Sequence, residues 1–281
     1  EEVRKGVQDV VKFWMKKGVS GFRFDVVNLI SKASYEDDET GDGRRFYTDG
    51  PNIHRYLQEL NEKTFGQDKG IVTVGEMSST SMENCFRYAS GDGKELSMVF
   101  SFHHLKVDFA GNEKWVLVPF DFQKLKKILF DWQSGMAQHD AWNAVFWCNH
   151  DQPRVVSRFG DEGKYRKESA KMLGTVIHCL RGTPYVYQGE ELGMGNAGFT
   201  KIGQYRDVES INYFRILQEK GLTEADAYRI LQIHSRDNAR TPMQWDGGAN
   251  GGFTSGTPWI EVNPDCTLVN ALDELADADS V

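Results

Sequence analysis

The stretch Gly21-Phe22-Arg23-Phe24-Asp25-Val26-Val27-Asn28 decides how this chain folds. An apolar run climbs to one Asp that reads as buried, and an Arg stands two residues before it. Side chains two apart on a strand share a face, so a strand here points Arg23 and Asp25 the same way. A charge pair on one face of an apolar strand is costly unless partners or a function require it. A structural ion pair at a strand end fits the pattern. So does a carboxylate nucleophile held ionised by a neighbouring guanidinium. The rest of the chain decides between them.

Upstream, Val3, Val7, Val10, Val11 and Trp14 fall on one helical face, expected to point inward, and Gly18 marks the stop. Downstream, Glu36 to Gly50 reads as a polar loop, in which Asp38, Thr40, Asp42 and Gly43 faintly resemble a calcium loop without the helix that should lead into it. A helix opening at Asp49-Gly50-Pro51 turns Ile53, Tyr56, Leu57 and Leu60 inward. Ile71 to Gly75 is a short strand with Glu76 at its C-terminal end, followed by a helical segment from Met82 to Ala89. Leu96 to Phe102 is a third strand, leading into His103-His104-Leu105-Lys106, and Asp121 precedes a helix facing inward through Phe122, Leu125, Ile128, Leu129 and Trp132. Ala144 to Cys148 is a fourth strand and ends in Asn149-His150-Asp151-Gln152-Pro153-Arg154. A helix carrying Ala170, Leu173, Ile177 and Leu180 precedes the fifth strand, Pro184 to Gln188. Two more helical patterns, 208–220 and 223–234, lead to a turn-rich segment, 235–265, whose length predicts a functional lid or binding loop.

The alternation of strands and helices predicts a parallel sheet with helical crossovers. Most of the polar residues that look functional sit where a strand ends, which is where α/β sheets and barrels build their sites. No Gly-rich phosphate loop follows the first strand, which argues against a dinucleotide fold. With five strands where a closed barrel has eight, the expected fold is α/β, an incomplete (β/α)8 TIM barrel comprising about strands 4 to 8 with their helices.

The bulk composition excludes several roles. The chain has 281 residues and a net charge of -8, which disfavours nucleic-acid and anionic-membrane partners. Any anion site must then be a local basic pocket. Cys85, Cys148, Cys179 and Cys266 show no metal spacing and suit reduced thiols, so a cytoplasmic location is expected. No apolar run reaches spanning length. The first residue is not Met and lies inside a helical pattern, so the chain reads as part of a longer protein.

Asp25, Glu76 and Asp151 each end a different strand of the predicted sheet. Three carboxylates brought together there would repel, and one should keep its proton near neutral pH. That combination supplies an ionised nucleophile and a protonated general acid, which retaining glycoside hydrolysis uses about 5–5.5 Å apart.

Gly21-Phe22-Arg23-Phe24-Asp25, Val74-Gly75-Glu76-Met77 and Asn149-His150-Asp151-Gln152-Pro153-Arg154 resemble three ordered signature blocks of α-amylase-type glycoside hydrolases. The segment from Gly182 to Glu191 resembles the family's eighth barrel strand, and Arg236 to Trp245 resembles the following loop of its exo-acting α-glucosidases. The resemblance implies that Asp25 is the nucleophile, Glu76 the acid/base and Asp151 the carboxylate that stabilises the transition state. It implies further that Arg23 keeps Asp25 ionised, that His150 binds the ring being cleaved, and that Arg240 closes the pocket around the non-reducing sugar.

Val26, after the nucleophile, matches the subgroup that cleaves α-1,6-linked oligoglucosides and should shape the start of the leaving-group site. The segments Thr73 to Ser81, Asp42 to Pro51 and Phe102 to Asp108 resemble more closely the subgroup that cleaves trehalose 6-phosphate. His103 and Lys106 stand where the first subgroup is acidic, which favours a phosphorylated disaccharide as the substrate. No cofactor is needed for this chemistry, and no metal is expected here. Some family members hold a structural calcium near the first barrel strand, which the resemblance places outside these residues, together with the other N-terminal strands, a small inserted domain and a C-terminal β-sandwich. Some relatives are catalytically dead transporter subunits that have lost their carboxylates; this chain keeps all three.

Overall fold

The computed structural model describes residues 1–281. Five strands form one sheet: β1 (Gly21–Phe24), β2 (Val72–Glu76), β3 (Met98–Phe100), β4 (Asn143–Phe146) and β5 (Thr183–Tyr185). Their order in the sheet is their order in the chain, and β1 to β4 pair in parallel. A doubly wound sheet reverses its strand order at a switch point; this one does not, which is the barrel pattern. The expected incomplete (β/α)8 barrel is therefore observed, with strands shorter than the apolar runs suggest. In the register, Phe24 lies opposite Gly75, so Asp25 and Glu76 leave β1 and β2 from the same rung. A Cβ on Gly75 would come within 2.6 Å of Leu96 Cδ1 and Met77 Cε, so a larger residue there would push these side-chain ends out of the core just before Glu76.

The chain divides into two compact units. The first comprises Glu1–Leu105, Phe122–Val145 and Leu180–Thr183. It carries helices α1 (Glu2–Lys16), α2 (Arg44–Tyr47), α3 (Ile53–Lys63), α4 (Met82–Tyr88) and α5 (Phe122–Gln138). Ile53, Leu57 and Leu60 of α3 enter a core with Phe65, Tyr88, Val99 and Met136, as the helical period predicts. The predicted face of α1 is a correction. Only Val11 of that set is buried, while Val3, Val7, Val10 and Trp14 are exposed. The helix is held on α3 instead by polar bonds from Arg4 and Gln8 to Glu59. Helix α2, too short to show a period, interrupts the predicted polar loop. The Asp38 carboxylate there accepts from Thr40 and Gly43 and pairs with Arg45, which makes the segment a closed turn.

The second unit comprises Lys106–Asp121, Phe146–Cys179 and Pro184–Val281. It carries α6 (Val155–Phe159), α7 (Arg166–Cys179), α8 (Val208–Glu219), α9 (Glu224–His234) and α10 (Ala271–Ala276). Trp115, Phe199, Tyr205, Phe214, Leu231 and Ile260 build its larger core. The segment 235–265 contains short 3-10 turns, Arg236–Ala239 and Ala249–Gly252 among them, and is pinned by buried polar side chains. Asp237 accepts from the Arg206 and Asp207 amides at 2.7 and 2.8 Å, and Gln244 donates to Asp265 at 2.9 Å. This loop is anchored from within, which suits a binding loop rather than a lid. No helix is long and apolar enough to cross a membrane.

Candidate active site

In the first unit, β1 and β2 present Arg23, Asp25 and Glu76 together. The Arg23 guanidinium donates one nitrogen to Asp25 and the other to Glu76. The carboxylates differ in surroundings: the Asp25 side chain is 73% exposed, Glu76 only 14%. The expectation that Asp25 is buried is thus corrected, because β1 ends one residue earlier and Asp25 stands beyond the sheet. Burial pushes the Glu76 carboxyl up; Arg23 opposes this, and the negative charge of Asp25 adds to it. A hydrogen bond between the Glu76 and Asp25 carboxyls acts in the same upward direction. Glu76 therefore holds its proton beyond the usual carboxyl range, chiefly through burial.

Val26, next to Asp25, has φ 33° and ψ 43°, in the left-handed region. A β-branched residue there is a true outlier, and such strain clusters at functional sites. In this conformation the Val26 amide donates to the Glu76 carboxylate.

In the second unit, the residues after β4 form another group. Asp151 Oδ1 accepts from Arg240 Nη2 at 2.8 Å and from Arg236 Nη1 at 3.1 Å. His150 Nε2 lies 3.3 Å from Asp151 Oδ2, and the His150 carbonyl accepts from Arg240 Nε at 2.8 Å. Arg236 is a further residue of this group that the sequence motifs do not single out, because its partner Asp151 lies 85 residues away. It also donates to Glu209 and forms an ion pair with Asp207 at 3.4 Å. Burial works against ionisation of Glu209, yet Arg236 and Lys114 hold its carboxyl below the usual range. Arg154, from the same block, is fully buried and donates to the Asn238 and Gln188 carbonyls and to Thr241. It locks the block after β4 to the segments after β5.

The two basic residues after β3 fall differently. The His103 ring packs on Trp132 at 5.0 Å and exchanges a hydrogen bond with Ser101, within the first unit. Lys106 closes the 3-10 turn His103–Lys106 and is half-buried.

The strands run in sequential order, and Arg23 bridges a carboxylate pair at the ends of two adjacent strands, the arrangement of a barrel-type catalytic domain. The family described as the alpha-amylase catalytic domain matches residues 1–281, and the chain belongs to it. Within that family the chain is 60% identical over 282 residues to the trehalose-6-phosphate hydrolase of Bacillus subtilis, covering 100% of this chain and 50% of that protein. It is 48% identical to a probable oligo-1,6-glucosidase of the same species, with 100% and 51% covered. The crystal structure of the Bacillus licheniformis trehalose-6-phosphate hydrolase superposes with a TM-score of 0.95 at 58% identity, covering 100% of this chain and 50% of that one. The chain thus spans about half the length of these relatives.

Proposed function

We propose that this chain carries the catalytic carboxylates of a retaining glycoside hydrolase that cleaves trehalose 6-phosphate to glucose and glucose 6-phosphate. The observation that carries the reading is Arg23 shared between Asp25 and Glu76 on one rung of the sheet. Asp25, exposed and paired with a guanidinium, attacks the anomeric carbon. Glu76, less exposed and inclined to keep its proton, gives it to the departing oxygen. The ester formed on Asp25 is then hydrolysed by a water that returns its proton to Glu76. Asp151, oriented by Arg236 and Arg240, stabilises the charge that develops on the ring, and His150 beside it binds that ring. The double displacement runs on carboxylates alone, so the proposed reaction takes no cofactor.

The phosphorylated substrate rests on the higher identity to the trehalose-6-phosphate hydrolase than to the oligo-1,6-glucosidase. Lys106 and His103 supply the basic character of the stretch after β3, and Lys106 is the residue assigned to the phosphate. A substrate of this kind, made and used inside cells, agrees with a cytoplasmic site of action. The second reading, an oligo-1,6-glucosidase, is favoured by Val26. The test is comparative hydrolysis of trehalose 6-phosphate, trehalose and isomaltose by the protein at its full encoded length. The reading expects trehalose 6-phosphate to have the highest kcat/KM. It expects Lys106→Ala to lower that value about ten- to a hundredfold, the worth of one charged hydrogen bond, while isomaltose is spared. Isomaltose as the best substrate would overturn it in favour of the second reading.

A further inference from the structure

Behind the Arg23-bridged pair lies a buried polar network that the reaction itself does not use. Asn28, three residues after Asp25, is fully buried. Its carboxamide is doubly bonded to the backbone of Ser78, two residues after Glu76: Oδ1 accepts from the Ser78 amide at 2.9 Å, and Nδ2 donates to the Ser78 carbonyl at 2.8 Å. One side chain therefore holds the loop after β1 against the loop after β2 in the manner of a strand pair. Nδ2 also donates to Asp49 Oδ1 at 3.2 Å, and the Asp49 amide donates to the Asn28 carbonyl at 3.0 Å.

Asp49 in turn is a hub. Its carboxylate accepts from Tyr88 at 2.6 Å, Thr80 at 2.7 Å and Asn84 at 2.8 Å, besides Asn28. Networks of this kind rigidify only when each member is satisfied, and these members are. The backbone around it is strained. Val26 (φ 33°), Asp49 (φ 50°) and Ser79 (φ 55°) are all non-glycine residues in the left-handed region. Such conformations persist only where the surroundings over-determine them. The Asn28 and Asp49 bonds supply that constraint, on both sides of the two catalytic loops.

We propose that Asn28, fixed by Asp49, is a positioning residue that sets the placement of Glu76 relative to Asp25. The proposal rests on the nucleophile and acid/base roles assigned above. Loosening the clamp lets the two strand ends move apart, and the step that needs both groups in register suffers most. Protonation of a poor leaving group depends on a well-placed acid; departure of an activated one does not.

The test compares glycosylation rates, per site titrated with a fluorinated glucosyl fluoride that traps the ester on Asp25, for 4-nitrophenyl α-glucoside and methyl α-glucoside. It uses the protein at full encoded length. Asn28→Ala should raise the ratio of activated to poor substrate by about tenfold, with KM moving less than about threefold. Tyr88→Phe, which removes one donor from Asp49 remote from the sugar, should shift the ratio the same way by a smaller factor. A structural role alone would lower thermal stability or the titrated fraction and leave the ratio where it was. An unchanged ratio in Asn28→Ala overturns the proposal; should that variant fail to fold, an unchanged ratio in Tyr88→Phe does so. Asp25→Asn separates the two layers of argument: trapping that survives in Asp25→Asn sinks the functional reading, whereas trapping lost there with an unmoved ratio in Asn28→Ala sinks only the clamp.

Discussion

Removing the Arg240 side chain separates two roles that a loop arginine near a sugar site could have. Arg240 makes two bonds at once, Nε to the His150 carbonyl and Nη2 to Asp151 Oδ1, both at 2.8 Å. Hydrogen bonds to a charged group contribute about 1.5–3 kcal/mol. Here Arg240 is 24% and Asp151 35% exposed, so solvent screening places the Asp151 bond at the lower end. About 1.5 kcal/mol is roughly tenfold in rate. Release of the carboxylate from its set direction could multiply this, since small misplacements cost up to about a hundredfold. Arg236, on the same oxygen at 3.1 Å, caps the loss by keeping one anchor in place. The expectation for Arg240→Ala is therefore a ten- to hundredfold fall in kcat on an aryl α-glucoside, with KM within about threefold. Arg240→Lys keeps the charge but offers no planar fork to span both acceptors, so it should recover less than half of the loss on a logarithmic scale. Thermal unfolding of each variant controls for damage to the loop. A rise in KM alone would mean that Arg240 grips the sugar rather than Asp151, and full activity in Arg240→Lys would refute the two-point argument.

Glu76→Gln should lose most activity on substrates with poor leaving groups and retain more on activated ones. In the wild type the acid works below its raised pKa, so activity should fall as pH rises through it, and this basic limb should vanish in the variant. Burial pushes Glu190 up to about 7, in the wall of a cavity beside Cys148. The folded state then binds more protons than the unfolded one between the ordinary carboxyl range and about 7, so stability falls as pH rises through that window. Glu190→Gln should flatten the fall, leaving the variant more stable at pH 8 by on the order of 1–3 kcal/mol; parallel melting curves at pH 5 and pH 8 would refute this. Val26→Asn should relieve the left-handed strain and stabilise by about 1 kcal/mol, read as a raised melting temperature. Val26→Thr should raise α-1,4 relative to α-1,6 cleavage, and an unchanged ratio removes Val26 as a linkage determinant.

The strands were legible because runs such as Ile71 to Gly75 are β-branched and end in a polar residue at the rung where the backbone turns away. Asp25 and Glu76 were legible for the same reason, each standing right after such a run, whereas Asp151 lies five residues beyond β4. What stayed hidden was long-range or conformational. The Arg236 bond to Asp151 spans 85 residues, and the Asn28 bond to Ser78 spans 50, with no local pattern to announce either. Val26 in the left-handed region contradicts its own propensity, so no single-residue rule could find it. The outward face of α1 was misread because helical period states that a stripe is apolar, not what lies against it. His103 packs on Trp132, a ring contact that the sequence around it does not announce.

The two charge groups divide their charges in opposite ways, and the division bears on which acid does what. In the first unit one guanidinium serves two carboxylates, and burial, with the charge of Asp25 added to it, favours a proton on Glu76. Solvent decides where it goes, because hydration favours the charged form and burial the neutral one. Asp25 is the open group and Glu76 the enclosed one, so the proton belongs on Glu76 and the negative charge on Asp25. The difference in exposure thus supports the proposed split of roles, with Asp25 as nucleophile and Glu76 as acid. In the second unit two guanidinia and a histidine surround one carboxylate. Those donors fix the direction of the Asp151 carboxylate, which suits the proposed role of steadying a developing positive charge. In the proposed mechanism, a shared cation and unequal exposure set two similar carboxyls to different tasks, and a ring of donors holds the third in place.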